Sequence, residues 1–284
     1  MPQLKAIIIG LTLATCTSNI FAMSRKTYVW NDINTREVIR WEGDTAIVQQ
    51  GSAMKELVCK INLENSDVDF AVNAFGVPKK WTTFSYQDEK ELAIKRQELS
   101  NKAATHGIKM LDNENKFSVD YDWVVNHSAN SIYSVAKTIR SAARKKSYRS
   151  TRDLIGAFAS FVQNLEYRVP PNSRTTDEGE EILTAGAMMP LETLLKGWGD
   201  CDSKSMLFAA LVKSINLVDV CFIVMDEHLF VGVKITPSQD DQTIRYKNKE
   251  WVLLELTDAW PIGHVPTNHL NAVIHGKYKV VPIK

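Results

Sequence analysis

Residues 190–215 constrain the fold more than any other stretch. They read Pro190-Leu-Glu-Thr-Leu-Leu-Lys-Gly-Trp-Gly-Asp-Cys201 and continue as Asp202-Ser-Lys-Ser-Met-Leu-Phe-Ala-Ala-Leu-Val-Lys-Ser-Ile215. The second part is an amphipathic helix, with Met206, Leu207, Ala210, Leu211 and Ile215 on one face. Gly197 and Gly199 let the chain bend sharply before it, and Asp200 stands where a helix N-cap belongs. A helix with an apolar stripe must bury that stripe, and the following residues supply a sheet. The 218–225 run pairs naturally with 229–235 through Asp226-Glu227, and 243–246 pairs with 251–256 across a short turn. Residues 278–283 read as one more strand.

Three further helices precede this unit. Residues 88–106 carry Leu92, Ile94 and Leu99 among many charges, with Gly107 as a stop. Residues 129–146 place Ile132, Val135, Ala136 and Ile139 on one face. Their basic end, Arg140, Arg144, Lys145 and Lys146 with Arg149 beyond, suits the helix dipole; an anion-binding patch is the alternative. Residues 151–166 keep Leu154, Ile155, Phe158, Phe161, Val162 and Leu165 at helical spacing, and Pro170-Pro171 prevents continuation. The polar 172–186 stretch reads as a surface loop, and its Asp177-Glu-Gly-Glu-Glu181 lacks the alternating oxygen ligands of a calcium loop. Upstream, 27–30, 37–41, 45–48, 57–61 and 68–72 alternate like strands. The expected class is α+β. A β-rich region at 23–117 precedes a catalytic domain at 118–284.

The first residues differ from the rest. Lys5, a short apolar run to Ala14 and Ala22 fit a secretory signal peptide over 1–22. A second reading takes Leu13-Ala-Thr-Cys16 as a lipoprotein site acylated on Cys16. The expected location is periplasmic or secreted, with lipid anchoring through Cys16 as the alternative. No later segment is apolar enough for a membrane span. The formal net charge of +1 gives no electrostatic bias toward nucleic acid or a membrane surface. After the leader only Cys59, Cys201 and Cys221 remain, which is no disulfide scaffold. Cys59 and Cys221 form either a bridge or two separately buried thiols. His264, His269 and His275 lie among Pro261 and Pro266 as loop histidines, so neither a metal nor another cofactor is expected.

The chemistry centres on Cys201. At a helix start, unpaired N–H groups and the dipole favour a thiolate, and the Cys201 N–H points to where an oxyanion forms in acyl transfer. Asp200 and Asp202 oppose this by raising the thiol pKa. A thiol nucleophile needs a base, and His228 opens the second strand of a hairpin that the helix would pack on. A third group must hold the ring. Glu255 lies in the apolar run Trp251-Val-Leu-Leu-Glu-Leu-Thr257, where a carboxylate is costly without a partner. Asp258 is the alternative for that role.

These segments resemble the transglutaminase-like, papain-like cysteine proteases. Pro190-Leu-Glu-Thr-Leu-Leu-Lys-Gly-Trp-Gly-Asp-Cys-Asp202 resembles their nucleophile segment. His228-Leu-Phe-Val-Gly-Val233 is similar to the strand carrying the family histidine, and Leu254-Glu-Leu-Thr257 to the strand carrying the acidic member. Phe161-Val-Gln-Asn-Leu-Glu-Tyr167 resembles a helix that precedes the nucleophile. The resemblance covers 151–263. It implies a cysteine helix packed on an antiparallel sheet, and acyl transfer through a thioester released by water or by an amine. It implies Cys201, His228 and Glu255 as nucleophile, base and orienter, with Gln163 as an oxyanion candidate and Trp198 beside the cleft. The implied partner is a protein or peptide substrate of the cell envelope. Alternatives are a non-catalytic binding module on the same fold and a protein-glutamine amine transferase.

Overall fold

The structure is a computed structural model that describes residues 23–35, 40–42, 45–47, 54–111 and 116–284. The leader expected at 1–22, Cys16 included, lies outside these residues. So does part of each strand expected at 37–41 and 45–48; Arg40–Glu42 pairs antiparallel with Thr45–Ile47.

The first described strand, β1 (Met23–Asp32), pairs antiparallel with β2 (Lys55–Glu64), Trp30 facing Leu57 and Val29 facing Val58. Alternation sends Trp30, Leu57, Cys59, Ile61 and Leu63 inward and leaves Val29 and Val58 outside. Helix α1 (Asn65–Ala74) follows directly. It replaces the strand expected over 68–72. Val68, Phe70 and Val72 match a two-residue period, but the side chains that bury are Val68 and Ala71, with Phe75 just beyond. That is helical spacing, and Phe70 is left exposed.

Helix α2 (Glu89–Ala104) starts at Asp88, whose carboxylate accepts the Glu91 N–H. Then come α3 (Tyr121–Ser128), α4 (Tyr133–Lys145) and α5 (Thr151–Gln163). Helix α5 opens with a capping box in which Ser150 and Asp153 satisfy each other's backbone N–H groups. It is buried from Leu154 to Gln163, so it is a central helix rather than a surface one. Phe161 meets the edges of Tyr28 and Trp30 at 5.1 Å each. Such ring pairs add about 0.5–1.5 kcal/mol each beyond area burial. The polar loop expected over 172–186 is instead a hairpin. Ser173–Thr175 pairs with Glu181–Leu183, which also pairs with Val77–Pro78. Its polar residues make the turn.

Helix α6 (Pro190–Lys196) ends at Gly197 in the left-handed region (φ 78°). The short strand β4 (Trp198–Gly199) runs parallel to β3 (Glu166–Tyr167) and leads into α7 (Cys201–Ser214). A Cβ at residue 199 would stand 2.9 Å from the Ser203 Cβ and 3.3 Å from Thr193, so only glycine lets this turn close. Helix α7 is buried from Ser203 to Val212.

The C-terminal sheet is antiparallel, five-stranded and curled as a half-barrel. It contains β5 (Val220–Val224), β6 (Leu229–Val233), β7 (Thr243–Tyr246), β8 (Lys249–Leu254) and β9 (Lys279–Pro282), in the order β7-β8-β6-β5-β9. The β5–β6 hairpin turns through Asp226-Glu227, and Lys247-Asn248 turn the next one with positive φ at both residues. One face sends Phe222, Leu229, Val231, Val233, Val252 and Leu254 into the main apolar cluster, against α7. The other sends Cys221, Ile223, Phe230, Trp251 and Leu253 into a second cluster, closed by Val273 of α8 (Thr267–Ile274). Cys59 lies in the first cluster and Cys221 in the second, both free and buried. Of the two sequence alternatives, they are separate thiols and not a bridge. The main cluster also runs from Trp30 and Leu57 through Phe158 to Phe208, across residues 117 and 118, so the fold is mixed α+β around one principal core.

Candidate active site

Cys201 is the first residue of α7, half-buried where that helix meets the sheet. The Asp200 carboxylate caps the helix, accepting the Ser203 N–H at 2.9 Å. Helix α7 packs across β6, so its start lies against the start of that strand. The N–H groups of Leu229 and Asp202 both reach the Cys201 sulfur and favour its anion. Burial outweighs them, and Asp202 and Asp200 add repulsion, so the thiol is pushed up to about 12. The sulfur's hydrogen bond runs to Asp202 Oδ1 at 3.9 Å and not to an imidazole. The same oxygen accepts the Tyr121 hydroxyl at 3.2 Å. Burial, then repulsion from Asp200, raises the Asp202 carboxyl to about 6.

His228 and Glu255 meet. The imidazole Nε2 lies 2.8 Å from Glu255 Oε2, and the carboxylate is 1% exposed. A buried carboxylate accepts, so Nε2 carries the proton and the neutral ring keeps its lone pair on Nδ1. The other carboxylate oxygen accepts the N–H and the hydroxyl of Thr257, both at 2.6 Å. Burial alone would raise the Glu255 carboxyl, but His228 and Thr257 together hold it below its ordinary value. Glu255 therefore stands ionised and hydrogen-bonded on both oxygens. Asp258, the alternative, is exposed and caps a turn through the Ala259 N–H at 2.7 Å.

Gln163 does not serve as the oxyanion donor that the resemblance implied. Its Nε2 donates to the carbonyls of Glu255 and Trp260, at 2.8 Å each, which uses both amide hydrogens. It ties the end of α5 to the segment carrying Glu255. Trp198 is half-buried between cations, Arg168 at 5.0 Å and Lys196 at 5.3 Å from its ring centre.

Two residues at the site escaped sequence reasoning. Lys204 is fully buried one turn into α7, and its Nζ donates to the carbonyls of Gln163, Leu165 and Thr257 at 3.2, 2.9 and 3.1 Å. Three acceptors match the three hydrogens of an ammonium. Burial lowers the group to about 8 against the pull of Glu255 and Asp258. Its signal was present, because Lys204 shares a helical stripe with Leu207, Phe208 and Leu211. The second is His269, expected in a loop but placed on α8, where its ring stacks on His228. Pro266 was a helix start signal, and Leu270 and Val273 keep helical spacing.

Among the described residues no cluster of three or more His, Cys, Asp or Glu is arranged to hold a metal, and no helix is long and apolar enough to cross a membrane. Compared with family models, curated proteins and solved structures, the chain matches none.

Proposed function

We propose that this chain is an exported thiol hydrolase, a peptidase or amidase, working through Cys201, His228 and Glu255 on a papain-like, transglutaminase-like core. The observation that carries the reading is local. A buried, ionised Glu255 orients the His228 ring through Nε2, while the N–H of the next residue, Leu229, faces the Cys201 sulfur. The residue that carries the ring is thus the chain neighbour of the one whose N–H reaches the thiol, and Nδ1 is left as the proton acceptor.

In this mechanism the resting thiol is neutral and loses its proton only as the substrate arrives. His228 Nδ1 takes that proton, Sγ bonds to the substrate carbonyl carbon, and the carbonyl electron pair moves to oxygen. The Cys201 N–H, at the open end of α7, donates to this oxyanion. Collapse of the tetrahedral species breaks the C–N bond, and the imidazolium returns its proton to the departing amine. Water then loses a proton to Nδ1, adds to the thioester and expels the sulfur, which recovers a proton. Glu255 stays ionised and stabilises the transient imidazolium. The substrate is a protein or peptide of the cell envelope, reached through the leader at 1–22.

The test uses p-nitrophenyl acetate as an acyl donor, followed by intact mass. An acetyl adduct on Cys201 is expected, lost in Cys201→Ala and slowed at least about a hundredfold in His228→Ala. Added glycine methyl ester discharges the adduct faster than water if amine transfer is the chemistry. One observation favours a second reading, a non-catalytic binding module: the thiol is turned toward Asp202 and pushed up to about 12. Failure of the wild-type protein to form any Cys201 adduct at neutral pH would sink the hydrolase and leave the module.

A further inference from the structure

We infer that His269 is a positioning residue that clamps the His228 imidazole in its working orientation. The inference rests on the thiol-hydrolase reading above and deepens it.

A histidine held by one hydrogen bond still pivots about that bond. In this site the pivot is blocked. The His269 ring stacks on His228 with centroids 4.5 Å apart and planes 19° from parallel. Phe230 meets the same ring edge-on at 4.6 Å and 73°. Phe230 also meets His269 edge-on at 5.5 Å and 85°, so the three rings brace one another. The clamp has a foundation, because α8 is seated by Val273 and Leu270 in the apolar cluster that contains Phe230 and Trp251. The chain beyond Glu255 returns as a helix whose one half-buried imidazole lands on the other. With one ring face covered and Nε2 anchored on Glu255, the ring is held against turning about that bond.

The charges fit the same role. During acyl transfer His228 becomes cationic, and a neutral aromatic face against a cation is favourable. A second cation at that distance is not. Burial, and then the neighbouring His228, hold His269 below the ordinary histidine value, while Glu255 pulls the other way. The titratable groups acting on this pair are Glu255 after β8 and Asp202 from α7. The stack therefore accommodates one positive charge and is broken by two.

The experiment uses the full chain and p-nitrophenyl acetate, with acetylation of Cys201 followed by intact mass from acid to neutral pH. His269→Ala is expected to slow acetylation between about ten- and a hundredfold at neutral pH, the range for a displaced reacting group. His269→Phe keeps the stacked face, so it restores the rate to within about threefold of wild type. A wild-type rate in His269→Ala, with wild-type Cys201 clearly acetylated, overturns the inference and leaves the hydrolase reading standing. Absence of the wild-type adduct sinks both. If His269→Ala loses its cooperative thermal transition, His269→Leu, which keeps bulk but no flat ring face, decides: acetylation within about threefold of wild type overturns the inference.

Discussion

Asp202→Asn is the substitution with the sharpest expected consequence. The Asp202 carboxylate lies 3.9 Å from the Cys201 sulfur, and its charge disfavours the thiolate. Two unit charges at that separation repel by about 4 kcal/mol at an effective dielectric constant near 20. That corresponds to a ceiling of about three pH units on the thiol. The site is partly open to water, so the expected fall is about one to three units from a starting value of about 12. Asp202 itself, raised to about 6, is ionised well before the thiol and exerts its full charge there. Iodoacetamide reacts with the thiolate, so at about pH 8 the alkylation rate of Cys201 should rise between about tenfold and a thousandfold. Asparagine still accepts the Tyr121 hydroxyl through its amide oxygen, so the fold is retained and the melting temperature should hardly change. The assay is adduct formation by intact mass across a pH series, with Cys201→Ala as the background, since Cys59 and Cys221 are buried. An unchanged rate in Asp202→Asn would refute the reasoning. So would a wild-type thiol that labels fully below about pH 7, because that requires a preformed thiolate.

Three further outcomes concern the frame around the site. Lys204, lowered to about 8, destabilises the fold while charged, so its share of stability rises with pH between about 8 and the ordinary 10.5, by up to about 3 kcal/mol. Lys204→Met should lack that rise in paired urea titrations at neutral and alkaline pH, and should slow Cys201 acetylation because three carbonyls lose their common donor. Asp241 is nearly buried and accepts two hydrogen bonds from Arg152 and one from the Ser238 N–H. Burial would raise its carboxyl, but these donors hold it below 3.8, so its contribution is complete above that pH and fades as acid protonates the folded form. Asp241→Asn should cost about 2–3 kcal/mol near neutrality, discounted for the partly exposed Arg152, and much less in strong acid; equal losses at both pH values would contradict this. Gly232→Ala would put a methyl 2.8 Å from the Cys221 sulfur and 3.3 Å from the Trp251 Cβ. The expected cost is about 1–3 kcal/mol by thermal melting, partly recovered by adding Cys221→Ala, and the absence of any recovery would show that the sulfur is not the obstacle.

What the sequence determined by itself is what short-range physics encodes. Ser150 with Asp153 starts α5, the glycines at 197 and 199 bend the chain into α7, and the two C-terminal hairpins follow from apolar runs joined by turn residues. Each of these depends on neighbours within a few residues. The costly carboxylate at 255 was also legible, because an acid in an apolar strand demands a partner. Tertiary packing alone decided which partners were taken. It gave the Gln163 amide to two carbonyls instead of an oxyanion, turned the Cys201 thiol toward Asp202, and brought Lys204 to three acceptors spread over the chain. It chose a helix over 65–74, where Val68, Phe70 and Val72 fit the period of a strand, and it carried His269 onto His228. Such contacts join residues far apart in the chain. Their energy depends on burial and orientation, which no local period of apolar residues can specify.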